Sequence, residues 1–183
     1  MFPQIPSWDA MHPMIVHFPI ALLLIVPLLL VMGLVWRANS RGLMIAALVL
    51  MAAGTIGTYV AFSTGSAGED VAEKIIGAKT VLEQHEELAE TTRIIFTVLT
   101  LIFAAVLFVP RLLKKELGQR TAAFVTSAFL LFYLAGTVVL ANTAHQGGRL
   151  VHELGVRAAI GSSAQQIGPQ GTSTNGKTDK DDD

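Results

Sequence analysis

The sequence predicts an all-α integral membrane protein, a bundle of four spanning helices with both termini on the outer side. Three observations predict it. Mean hydropathy is +0.55 and only 15% of residues are charged, against about 25% in a soluble domain. Four apolar runs, Ile15–Val35, Leu43–Phe62, Ile94–Val109 and Phe124–Ala141, each approach the ~20 residues that cross ~30 Å of hydrocarbon. The connections between them are sorted by charge. Arg37 and Arg41 lie in the first, and Arg111, Lys114, Lys115 and Arg120 in the third. The second, from Thr64 to Thr92, holds Glu69, Asp70, Glu73, Glu83, Glu86, Glu87 and Glu90 against Lys74 and Lys79. Lys and Arg collect on the cytoplasmic side, so the two basic turns are expected inside and the acidic segment and both termini outside. In a bacterium this is the inner (plasma) membrane.

Residues 1–11 read as an interfacial lead-in, with Phe2 and Trp8 suited to the headgroup region. His12-Pro13 reads as a helix start, where proline's missing N–H costs nothing. Pro19 and Pro27 fall inside the first span and invite kinks, which neighbouring helices can compensate in a membrane. The second span is rich in small residues, among them Ala53, Gly54, Gly57 and Ala61, and Gly136 plays the same part in the fourth. Close helix packing explains such residues, and so does the flat approach of a cofactor. Between spans two and three, Val81, Leu82, His85, Leu88, Ala89 and Thr92 recur at helical spacing. This predicts an amphipathic outer helix over Glu69–Thr92 that runs directly into span three. The four-helix domain is expected over 12–160, and 161–183 is a polar, low-complexity tail expected to be disordered.

The absence of cysteine excludes disulfides, thiolate metal sites and covalently attached c-type haem. A net charge of −1 argues against a nucleic-acid partner. The histidines are the residues able to carry chemistry by themselves, and the topology places all five on one side. By depth, His17 and His145 form an inner pair, while His12, His85 and His152 lie further out. His12 is roughly 7 Å beyond His17 along a helix, and His85 roughly 13 Å before Ile94. An ionisable group within an apolar run is costly and generally has a partner, which singles out His17. Two opposed imidazoles from different helices would hold a b-type haem, with His17 and His145 the best-placed axial pair and His12 and His85 a second pair or outer partners. Three or four converging imidazoles would instead hold zinc or copper. A third reading is a structural subunit of a larger complex, with the histidines merely hydrogen-bonded. Catalytic patterns are weak: His85-Glu86-Glu87 lacks a second histidine four residues on, where Ala89 stands.

The stretch His12-Pro-Met-Ile-Val-His17-Phe-Pro-Ile-Ala-Leu22 resembles the opening motif of a family of small bacterial four-helix membrane proteins of unknown function. His145-Gln-Gly147-Gly148-Arg-Leu150-Val151 resembles the closing motif of that family, and His85 falls where the family tends to carry a histidine. Family members joined to cytochrome c or iron–sulfur domains imply an electron-transfer setting. Independently of the resemblance, a site at the outer face would exchange electrons with an outer partner or a quinone, and the acidic helix at Glu83–Glu90 would dock a basic partner such as a soluble cytochrome. The chain departs from the family after the Gly-Gly pair. His152 takes the position of a tyrosine and Leu154 that of a histidine, so the role of that later histidine does not carry over.

Overall fold

The computed structural model describes residues 7–115 and 118–156; most of the lead-in and the whole polar tail lie outside them. Every regular element described is helical. In chain order these are α1 (His12–Ile15), α2 (His17–Val35), α3 (Ser40–Ala67), α4 (Glu69–Glu73), α5 (Lys79–Leu112) and α6 (Gln119–His152), with short 3-10 turns at Asp9–Met11 and Arg37–Asn39. Four stretches are long and apolar enough to cross a membrane: His12–Val35, Arg37–Ser66, Lys79–Leu112 and Gln119–His152. They pack in ring order, α2 on α3, α3 on α5, α5 on α6 and α6 back on α2.

A seam of three- and four-residue steps runs down each helix and faces the centre. In the first span it is His12, Pro19, Leu23, Val26, Leu30 and Gly33; in α5 it is Leu82, His85, Ala89, Thr92, Phe96, Leu99 and Phe103. In α6 it is Thr126, Phe129, Tyr133, Gly136, Leu140, Thr143, Gly147 and Leu150. This alternation is the packing pattern of left-handed helix bundles. Large apolar side chains off the seam, such as Leu101, Phe124, Leu131 and Phe132, are exposed and form the face presented to hydrocarbon.

The seam glycines close the bundle. A Cβ on Gly54 would come within 2.7 Å of Leu23, one on Gly57 within 3.1 Å of Pro19, and one on Gly136 within 3.1 Å of Ile95 and Leu99. These glycines therefore serve helix contact. Polar cross-links reinforce it. Thr55 lies 2.9 Å from Thr100, and Thr92 lies 2.8 Å from Thr143. Pro27 deprives the Leu23 carbonyl of its i+4 donor, and the buried Tyr133 hydroxyl donates to that same carbonyl at 2.9 Å.

The outer helix departs from the sequence expectation at one point. α4 ends at Glu73, and a turn through Gly77, at φ +85°, precedes α5 at Lys79. Only from Lys79 is the helix continuous into the third span. The interruption lets Ala72, Ile75 and Ala78 fold back onto Val81, Leu82 and Leu150, forming a small second core over the end of the bundle. α5 and α6, at 34 residues each, are about 51 Å long, well beyond the hydrocarbon thickness, and their projecting ends carry this cap.

A paired-histidine candidate site

Beneath the cap, two of the histidines meet. The rings of His12 and His85 have centroids 6.4 Å apart and planes inclined at 83°. His12 enters from the first turn of the first span and His85 from the second turn of α5, both on the inward seam. Each ring is half-buried and held the same way. His12 Nδ1–H donates to the Ala61 carbonyl at 2.8 Å, with the Thr64 hydroxyl at 3.1 Å. His85 Nδ1–H donates to the Thr143 carbonyl at 2.9 Å. With Nδ1 engaged on a carbonyl, Nε2 is the ring nitrogen left for a ligand.

A glycine makes each of these bonds possible. An imidazole that reaches a helix carbonyl lies over the residue four positions later, because side chains tilt towards the helix N-terminus. Four residues after Ala61 is Gly65, and four after Thr143 is Gly147. A Cβ on Gly65 would stand 3.0 Å from His12 Cε1, and one on Gly147 would stand 3.0 Å from His85 Cε1. The first two spans and the last two thus each form a hairpin with the same device: histidine on the first helix, carbonyl and glycine on the second. The arrangement is duplicated, and the two copies face each other.

Both rings border one cavity, with Phe62, Leu82, Ala89, Leu150, Val151 and Val156 among its apolar lining. The cavity itself is about 150 Å³, smaller than the ~300–1,000 Å³ of typical ligand pockets. An acidic rim adjoins it, where Glu69, Glu83, Glu86, Glu87 and Glu90 surround a second depression beside Phe62 and Ser66. Arg93 lies on the neighbouring surface, stacked over Phe62 at 4.2 Å and paired with Glu90 at 3.7 Å.

The remaining histidines stand elsewhere. His17 is exposed, and its Nδ1 donates to the Pro13 carbonyl of its own helix at 2.6 Å. Five residues from His12 is about 140° around a helix, which takes His17 off the seam. His145 is exposed too, two residues and so about 160° away from both Thr143 and Gly147. His152 is exposed at the last residue of α6. Sequence reasoning by depth placed His12 and His85 together in an outer group but missed Gly65, Thr64 and the role of Gly147. The signal for Gly147 was the seam period itself, on which it falls together with His12 and His85.

A family model described as a predicted membrane protein, DUF2231, matches residues 9–159. The chain belongs to this family. The matched DUF2231 region takes in all four spans, both ring histidines and both glycines that support them. No curated protein and no solved structure matches the chain.

Proposed function

We propose that the chain binds a b-type haem between His12 and His85 and serves as a membrane electron-transfer protein at the outer face. The observation that carries this reading is the duplicated histidine device. Two imidazoles from separate hairpins, each oriented through Nδ1, have ring centroids at 6.4 Å. Two ring nitrogens bound on opposite sides of one metal at ~2.0–2.1 Å put the ring centroids about 6 Å apart. Among the described residues no group of three or more His, Cys, Asp or Glu side chains is placed to hold a metal ion. Two histidines fall short of the three or four protein ligands of a zinc centre. They suffice for haem, which brings its own four equatorial nitrogens.

Haem with both axial positions filled would supply one-electron transfer rather than oxygen chemistry. The protein's part is to orient the two imidazoles by the Ala61 and Thr143 carbonyls, seat the rings against Gly65 and Gly147, and exclude water with the cap over Ala72, Leu82 and Leu150. The basic turns at Arg37–Arg41 and Arg111–Arg120 support an orientation with the histidine end on the periplasmic side of a bacterial inner membrane. The acidic rim there suits a basic partner such as a soluble cytochrome, and the apolar cavity mouth suits a quinone.

The test is an absorption spectrum of the detergent-purified protein before and after dithionite. Sharpened α and β bands on reduction, lost in His12→Ala and His85→Ala, support the reading. A colourless protein after expression with ample haem sinks it; elemental analysis for copper and zinc then separates a bare metal site from a structural role.

A further inference from the structure

We infer that the opposite end of the bundle holds a second site, one that takes the phosphate of an anionic membrane lipid. Arg37 in the 3-10 turn Arg37–Asn39, Arg41 in the first turn of α3 and Arg111 in the last turn of α5 line a single cavity whose far wall is the start of α6. Its volume is about 390 Å³. The charge there is one-sided. The two connections at this end hold six basic residues (Arg37, Arg41, Arg111, Lys114, Lys115 and Arg120) against one acid, Glu116. Arginine's planar fork matches phosphate oxygens bidentately, and three such side chains border the one cavity.

The lower part of the cavity decides between a lipid and a free phosphate. It descends between the helices to Gly33, Met44 and Leu107, residues of the apolar interior. A soluble anion has no use for that wall, whereas a phospholipid lays its glycerol and first acyl carbons along it while the headgroup meets the arginines. Basic pockets between spanning helices at the cytoplasmic face bind acidic headgroups by this division of labour. The inference stands independently of the histidine site, some 30 Å away across the bundle.

The experiment uses the full-length protein, delipidated in detergent and titrated with phosphatidylglycerol while bound lipid is read by native mass spectrometry. Phosphatidylglycerol should bind saturably, phosphatidylcholine should not, and millimolar pyrophosphate should not displace the lipid. The triple variant Arg37→Gln, Arg41→Gln, Arg111→Gln should weaken binding roughly 100-fold. The triple Lys114→Gln, Lys115→Gln, Arg120→Gln, which removes the same charge outside the cavity, should leave it within a few-fold. Should the first triple fail to fold, Arg41→Gln alone should weaken binding roughly 5-fold. Equal losses in the two triples would reduce the effect to general surface charge, and full displacement by pyrophosphate would make the ligand a soluble phosphate. Either result overturns the proposal.

Discussion

His12 and His85, 73 positions apart in the chain, face each other at 6.4 Å, and each is fixed by a backbone carbonyl of the span that follows its own. That relationship makes the two rings one unit. On the proposed haem reading each ring supplies one axial ligand, so both His12→Ala and His85→Ala should lose the reduced-minus-oxidised haem bands. His17→Ala and His145→Ala, whose rings are exposed on other faces, should keep them. Spectra of the four variants at matched protein concentration check this, and loss in the second pair with retention in the first would reverse the assignment.

The adjacent glycines of the closing motif give a finer test. A Cβ on Gly147 stands 3.0 Å from the His85 ring, whereas a Cβ on Gly148 meets nothing within 4 Å. Gly147→Ala should push the ring off the Thr143 carbonyl and weaken ligand binding by about 10–100-fold, the usual cost of losing a ligand's orienting contact. Gly148→Ala should leave binding unchanged and firm the helix by up to ~1 kcal/mol, the propensity difference between the two residues. Haem titration of the two apoproteins, with thermal unfolding alongside, measures both effects. Similar binding in the two variants would remove Gly147 from the site.

The glycines of the span interiors should behave in the opposite way. Gly54 and Gly136 sit in the seam against Leu23 and against Ile95 and Leu99. Gly54→Ala and Gly136→Ala should each cost ~1–3 kcal/mol through overpacking, while the haem spectrum at low temperature is unaltered. Unfolding by SDS titration beside the spectrum separates the two readouts, and a spectral change at full folding would tie these glycines to the cavity instead.

Most of the fold was legible because membrane solvent writes it directly into composition: four apolar runs and sorted charges leave little choice of architecture. The site was half legible. Counting residues along a span gives depth, and depth grouped His12 with His85; it also paired His17 with His145, both of which are exposed and off the inward seam. Azimuth needs the seam, whose three- and four-residue steps through Pro19, Leu23 and Val26 lead back to His12 and pass His17 by. The reach of His12 to Ala61 was not legible at all, since no local pattern states which carbonyl of another helix an imidazole will find. The break after Glu73 was missed because the apolar spacing continues across it, and only Gly77, at positive φ, marks the turn.

The Tyr133 hydroxyl and the Leu23 carbonyl make a prediction that concerns stability alone. Pro27 has no N–H to offer Leu23, and Tyr133 donates in its stead at 2.9 Å from the fourth span. Tyr133→Phe removes the donor, keeps the ring packed against Phe96, and leaves a carbonyl unpaired in an apolar interior, at ~1–2 kcal/mol. In a Pro27→Ala background the helix can supply its own N–H to Leu23, and the same Tyr133→Phe change should cost little. The coupling in a double-mutant cycle, read from SDS-driven unfolding of all four proteins, should therefore be about 1 kcal/mol. Strict additivity would mean that the hydroxyl serves something other than the gap left by the proline.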